Sequence, residues 1–298
     1  MKKLFTLLLS TLSLFLSTKQ VASFSANALS LIPIGRRAAL VTPLLWTASA
    51  ANALAAGNNK MNSSSKLIVI TGATRGIGSA LMLEFTRLGH TVFGCGSSAK
   101  SVDAFLERHP SVHAKYMAVV DVRDSDQVES WAQSVMKKAG APNILINGAG
   151  VIHDNALFTD IPRQDFDRVI DVNIKGTANV IRSFLPHMLN RKEGLIVNLT
   201  SGAGLRGIPE ISGYCTSKFG VEGLSQSIAK KLPDGIAIVP LQPGVVNTDM
   251  LQKHFGGERA DTYPTAAEWA EFGAAYILEL GPNDNGQSLR IPDPPKVE

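Results

Sequence analysis

Ser201, Tyr214 and Lys218 are the residues of this 298-residue chain whose types and spacing suit chemistry at a carbonyl, with two hydroxyls to polarise its oxygen and a cation to tune the proton. Tyr-x-x-x-Lys puts both side chains on one helix face, one turn apart. A free tyrosine, with a pKa of about 10, exchanges its proton poorly near neutrality, and a neighbouring cation favours the phenolate. Lys218 supplies that cation. Ser201 stands in Asn198-Leu-Thr-Ser-Gly, directly after the apolar run Leu195-Ile-Val, where a buried strand would end. Ligands of open α/β sheets bind at such strand ends. The same Tyr-x-x-x-Lys spacing occurs on ordinary solvated helix faces, so the meaning of the trio depends on what the chain builds around it.

What it builds starts with Leu67-Ile-Val-Ile, a β-branched apolar run, followed by Thr71-Gly72-Ala73-Thr74-Arg75-Gly76-Ile77-Gly78 and a helical pattern from Ser79 to Leu88. Strand, glycine turn and helix in that order let main chain approach a pyrophosphate and aim helix amides at its charge. The spacing is G-x-x-x-G-x-G, and a lone glycine motif also fits a plain βα turn. Apolar runs then alternate with helical patterns to the end of the chain, the mark of a doubly wound parallel sheet. Strands are expected over 67–71, 91–95, 116–120, 143–147, 194–200, 236–241 and 288–291. Helices are expected over 77–88, 125–138, 164–190, 213–231 and 265–280, in one domain spanning 66–298 with a short insertion between Thr248 and Thr265.

Thr71-Gly-x-x-x-Gly-x-Gly78, Asp121-Val122, Asn147-Gly-Ala-Gly150, Asn173, Ser201, Tyr214, Lys218 and Pro243-Gly244 through Thr248 occur in the order found in the short-chain dehydrogenase/reductase family, which the chain resembles from Lys66 to its C-terminus. The resemblance implies a single Rossmann-type α/β domain of about seven strands with helices on both faces. It also implies a catalytic set of Asn173, Ser201, Tyr214 and Lys218. By the same resemblance Gly72, Thr74, Arg75, Gly76, Ile77 and Gly78 would hold the cofactor phosphates, and Asp121 and Val122 would border the adenine. Asn147, Ala149 and Gly150 would line the central ribose, Tyr214 and Lys218 would reach the nicotinamide ribose, and Pro243, Gly244, Val246 and Thr248 would meet the nicotinamide amide. One departure is Gly148, where the family usually carries asparagine, which leaves the geometry of that turn open.

The second expected strand ends Gly94-Cys95-Gly96-Ser97-Ser98 with no acid to repel a 2′-phosphate, and Arg75 is placed to pair with one. The acid-free strand end and Arg75 therefore point to NADPH, while Ser97, also expected at the cofactor, stands where NADP-preferring members of the family often carry arginine. Asp234-Gly-Ile-Ala-Ile-Val-Pro-Leu-Gln-Pro-Gly and Asn285-Gly-Gln-Ser-Leu are similar to the plant pterin aldehyde reductases of that family, which implies a small aldehyde or ketone, aromatic or pterin, as substrate. Phe255, Tyr263 and Trp269 have the flat faces for such a ring, although packing of the insertion onto the domain is the expected role of at least two of them. A 3-oxoacyl-carrier-protein reductase is the alternative enzyme, and would need a basic docking patch such as Arg163, Arg168 and Lys175. An NADPH-binding sensor or scaffold is the alternative without turnover.

The formal charge of +4 belongs to the first 56 residues, which hold five bases and no acid; the remainder has 24 basic against 25 acidic residues, so nucleic acid is not an expected partner. Lys2-Lys3, the apolar stretch Leu4 to Leu16 and Val21-Ala-Ser read as a secretory signal peptide over 1–23. Residues 24–56 resemble a plastid transit segment, with Arg36-Arg37, the apolar stretch Ala38 to Ala51 and Ala53-Leu54-Ala55 as a possible twin-arginine transfer signal. The expectation is delivery to a plastid, with stroma and thylakoid lumen both open and no membrane contact of the mature form. Cys95 and Cys215 are isolated, and Pro110 interrupts the His109/His113 spacing, so neither a disulfide framework nor a metal site is expected. A homodimer or homotetramer is implied by the resemblance alone.

Overall fold

The structure is a computed structural model that describes residues 65–292. The leader segments expected over 1–23 and 24–56 lie outside the described residues. Seven parallel strands form one sheet in the order β3-β2-β1-β4-β5-β6-β7. They are β1 (Leu67–Thr71), β2 (Thr91–Gly96), β3 (Met117–Val119), β4 (Ile144–Asn147), β5 (Gly194–Leu199), β6 (Ile236–Gln242) and β7 (Leu289–Arg290). Each begins or ends within two residues of its expected bounds. The helices are α1 (Gly76–Arg87), α2 (Ala99–Arg108), α3 (Ser125–Ala139), α4 (Arg163–Ile170), α5 (Thr177–Arg191), α6 (Ser212–Ala229), α7 (Asp249–Phe255), α8 (Gly257–Ala260) and α9 (Ala266–Glu279). Among the described residues no helix is long and apolar enough to cross a membrane.

All five residues of β1 are buried, as a strand covered on both faces requires. Its side chains alternate between two layers. Ile68 and Ile70 join Leu81, Phe85, Phe105 and Trp269 on one side. Leu67 and Val69 join Trp131, Val135, Phe184 and Met188 on the other, where the Trp131 and Phe184 rings meet edge to face at 5.3 Å. Emptying a fully buried position such as Phe184 to alanine would cost about 3–5 kcal/mol. The chain winds outward through β2 and β3, then returns to add β4 on the other side of β1. That reversal opens a crevice above the C-terminal ends of β1 and β4, where ligands of such sheets bind.

Two departures from the expected elements bear on function. The single helix expected over 164–190 is divided by a π-helical turn at Asp171–Gly176. Gly176 there packs so closely on Val122 that a Cβ would collide with its side chain. Such turns often mark functional positions, and this one carries Asn173. The other is α2, which is not among the expected helices. Ser98 caps it by accepting from the Ser101 N–H, and only Val102 and Phe105 are buried, which is too sparse an apolar face to be seen amid its polar residues. The insertion after Thr248 contains α7 and α8, and its base is closed by the Asn247 N–H donating to the Pro264 carbonyl at 2.8 Å.

Candidate active site

Main chain forms the floor of the crevice. Gly72 at φ +69 and Gly76 at φ +55 occupy the left-handed region that side chains resist. A Cβ on Gly72 would lie 2.8 Å from the Ala149 main chain, and one on Gly78 would press into the Gly72 carbonyl. The Thr71 hydroxyl joins the two runs by accepting from the N–H groups of Gly148 and Ala149 at 3.1 and 3.2 Å. A Cβ at Gly148 would come within 2.9 Å of the Thr71 carbonyl oxygen, so glycine suits this turn as it is built here. The first turn of α1 holds no acid, and no side chain caps its amides. Above it opens a cavity of about 400 Å³, lined by both glycine runs and by Ser97, Asp121, Val122, Tyr214, Lys218, Pro243 and Thr248. Amide-rich helix start, absent Cβ atoms and cavity size fit a dinucleotide pyrophosphate.

Several expected contacts are placed elsewhere. Asn147 turns inward and donates to Asn198 Oδ1 at 2.7 Å, while the Asn198 amide donates to Ser225 Oγ at 2.8 Å. Val246 is buried in the core layer that holds Trp269, and Gly244, at φ +80, forms part of the turn after β6 without lining the cavity. The Arg75 guanidinium lies 3.9 Å from the Asp249 carboxylate, both largely exposed. At the end of β2, Arg108 of α2 donates to the Thr74 carbonyl at 3.3 Å, which adds a cation that the unrecognised helix concealed; the Ser98 cap was its sequence signal. Arg123 was also missed. It grips Asp121 with Nη2 at 2.6 Å and Nε at 3.0 Å, and that hydrogen-bonded guanidinium holds the Asp121 carboxyl below its usual range against the opposing effect of burial.

Three elements bring the expected catalytic residues together. Ser201 follows β5 and caps the short turn Gly202–Gly204 by accepting from the Ala203 N–H at 3.2 Å. Tyr214 and Lys218 lie on α6, with the ammonium 5.5 Å from the phenol ring centre and donating to the Leu199 carbonyl at 2.8 Å. Asn173 pins the π turn to the loop after β4: its Oδ1 accepts from the Val151 N–H at 2.8 Å, and its Nδ2 donates to the Val151 carbonyl and to Ser217 Oγ. Gly150 lines the cavity beside this group, since a Cβ there would meet Asn173 Oδ1 at 3.6 Å and Lys218 Nζ at 3.8 Å. Burial, rather than the Lys218 charge, dominates the Tyr214 proton, pushing the phenol up to about 12 while a hydrogen bond with Ser201 pulls it down. Lys218 is pushed down to about 8 by burial and pulled up by Glu222. The sequence expectation was that the lysine would lower the tyrosine; here burial sets the direction of both, raising the phenol and lowering the ammonium.

Beside the trio, His153 is buried with both ring nitrogens engaged. Nε2 accepts from the Gly213 N–H at 3.2 Å and Nδ1 contacts the Asp154 carbonyl at 2.7 Å, so Nδ1 carries the proton and the ring fixes the start of α6. On the substrate side Asn155 and His254 pair twice, through Asn155 Nδ2 to the His254 carbonyl at 3.0 Å and Asn155 Oδ1 to His254 Nδ1 at 2.6 Å. Lys253 and Asp154 pair at 2.6 Å. Trp269 is fully buried and donates to the Pro243 carbonyl, so it belongs to the core; the Phe255 ring is flanked by His254 at 4.4 Å and Arg259 at 4.5 Å.

The sequence pattern described as short chain dehydrogenase matches residues 66–259. The chain is 41% identical over 226 residues to NADPH-dependent pterin aldehyde reductase of Arabidopsis thaliana, covering 76% of this chain and 93% of that protein. It is 35% identical over 190 residues to 3-oxoacyl-(acyl-carrier-protein) reductase FabG of Thermotoga maritima, covering 63% and 77%. Among solved structures, ElxO with NADP bound superposes with a TM-score of 0.67 at 29% identity, covering 76% of this chain and 97% of that one. A glycine cradle at the sheet's switch point, a Ser-Tyr-Lys group beside it and a sequence match running through both lead to one assignment: the chain belongs to the short-chain dehydrogenase/reductase family.

Proposed function

We propose that the protein is an NADPH-dependent carbonyl reductase whose substrate is a small aromatic aldehyde, with pterin aldehydes the foremost class. The observation that carries this reading is the convergence of Ser201, Tyr214 and Lys218 on a cavity that Arg75 and Arg123 also line and where β2 ends in Gly96 and Ser97 without an acid. The 41% identity to a pterin aldehyde reductase supports the substrate class. Gly72, Gly76, Gly78 and the α1 amides would hold the pyrophosphate, with Arg75 and Arg108 near the ribose corner. Bound NADPH supplies the hydride.

The chain's own residues manage the oxygen. Ser201 Oγ accepts from the Ala203 N–H, and the hydrogen that it shares with Tyr214 can turn to a substrate carbonyl. Tyr214, held protonated by burial, donates the proton as negative charge grows on that oxygen. An alkoxide is a far stronger base than a phenolate, so a raised Tyr214 suits reduction. Lys218 places positive charge under the phenolate that is left behind, and Asn173 fixes the loop that presents Gly150 and Val151.

The carrier-protein alternative has its own support in the 35% identical relative. Against it, Arg168 and Lys175 lie beside acids of their own helical turns, Asp165 at 3.7 Å and Asp171 at 2.7 Å, which leaves them poorly placed as an acidic carrier's docking patch. NADPH oxidation measured with the purified protein against aromatic aldehydes, a pterin aldehyde and 3-oxoacyl thioesters distinguishes the readings. The expected order of kcat/KM puts the pterin aldehyde first; a preference for the thioesters would reverse the assignment, and no oxidation with any carbonyl would favour a sensor or scaffold. Residues 1–56 we propose as delivery segments to a plastid, tested by locating a fluorescent fusion of the full chain with and without them.

A further inference from the structure

Glu222 follows Lys218 by one turn of α6, as Lys218 follows Tyr214, so the three share a face. It is 4% exposed and Lys218 is 7% exposed. Neither Glu222 carboxylate oxygen has a hydrogen-bond partner among the described residues. The side chain packs beneath the turn that Ser201 caps, since a Cβ on Gly204 would lie 3.2 Å from Glu222 Cγ. A carboxylate removed from water without donors is costly unless an opposite charge is near. On this face the opposite charge is the Lys218 ammonium, and the attraction of Glu222 is what opposes burial there.

We propose that Glu222 is a positioning residue that keeps Lys218 charged and aligned beneath Tyr214. The groups that face Lys218 from the surrounding elements are few. Tyr214 and Glu222 face it from α6, Asn173 from the π turn through Gly150, and the Leu199 carbonyl from β5; Cys215 acts on Tyr214 from the same helix. Among these groups Glu222 alone carries a carboxyl group. Without it the ammonium would surrender its proton at lower pH, and the developing phenolate would lose its cation in the range where the enzyme works. The inference rests on the carbonyl reductase reading for its catalytic meaning.

The test uses the full chain with lysine carbon-13 labelled at Cε. The Lys218 signal is identified by its loss in Lys218→Met. In Glu222→Gln its titration midpoint should fall by about one pH unit, the size expected for removing one nearby opposite charge, and in Glu222→Asp it should fall less. With NADPH and 4-nitrobenzaldehyde, the alkaline limb of the kcat profile should move the same way, with the loss growing as pH rises. An unchanged midpoint in either folded variant would overturn the proposal, as would a kcat loss equal at every pH. A protein that shows the shift but reduces no carbonyl would overturn the functional reading and leave the charge pair. A working reductase whose lysine ignores Glu222 would do the reverse.

Discussion

The nucleotide cradle and the rim that joins the loop after β4 to α7 are made differently. Between β1 and β4 the cradle is main chain against main chain, with Gly72 facing Ala149 and Gly78 facing the Gly72 carbonyl. Over the substrate side the rim is side chain against side chain, with Asn155 on His254 and Asp154 on Lys253, mostly exposed. The cradle has no room to change, because close-packed main chain cannot give way without moving two strands. The rim has room, because each exposed pair is worth about 1 kcal/mol or less. A fixed cofactor end and an adjustable rim would let one fold serve different substrates.

The sharpest break in that comparison is at its junction. Tyr214→Phe should lower kcat by about 10³-fold, within the range typical of a lost general acid, while NADPH affinity by fluorescence titration stays within a few-fold. Equal loss of both would mean that the tyrosine holds the cofactor rather than delivering a proton. Next in size is Gly78→Ala. Its Cβ would drive into the Gly72 carbonyl, so we expect about 1–3 kcal/mol lost in thermal or urea unfolding and NADPH affinity down by more than about tenfold, the amides being displaced. A stable variant with normal affinity would show that the cradle is as pliant as the rim.

This contrast also explains what could be read from the sequence. The seven strands and the glycine turn were legible because continuous apolar runs and the need for absent Cβ atoms act within a few residues. The π turn was not; Gly176 within it packs on Val122, more than fifty residues earlier in sequence, a contact that only the fold supplies. Nor was α2, whose two buried residues give no periodic face. Ser201, Tyr214 and Lys218 were found by spacing, yet the balance of their protons was misjudged, because desolvation depends on what folds over α6. His153, Arg123 and Glu222 escaped for the same reason: each gains its meaning from a partner or a covering that only the fold supplies.

On the β2 side of the cradle lies the ribose corner, where an intermediate effect is expected. Arg75→Ala should weaken NADPH by about tenfold and NADH little, as loss of one charge-assisted phosphate contact implies. In the structure Arg75 leans to Asp249, so Arg108→Ala is the companion variant. Selectivity that survives the first and fails in the second would move the phosphate contact to α2. Dissociation constants for the two nucleotides, measured for both variants, decide it.

The smallest effect belongs to the rim. Asn155 Oδ1 can only accept, so His254 must carry its proton on Nδ1, and the second nitrogen, Nε2, is buried without a partner among the described residues. Protonating Nε2 would bury an unpaired N–H and a charge, and burial accordingly holds His254 below its ordinary value, against the opposing pull of Glu210. With its folded pKa lowered, the unfolded or released rim binds the proton more readily, so this pairing is fully present above the ordinary histidine pKa of about 6.5 and weakens as pH falls below it. Asn155→Ala should raise KM for an aromatic aldehyde two- to fivefold, about 0.5–1 kcal/mol, leaving kcat, NADPH affinity and melting temperature nearly unchanged. The wild-type KM should rise at pH 5.5 relative to pH 7.5 and the variant's should not. A melting temperature that fell as far as that of Gly78→Ala would make the rim part of the scaffold, and the division between a fixed end and an adjustable end would fail.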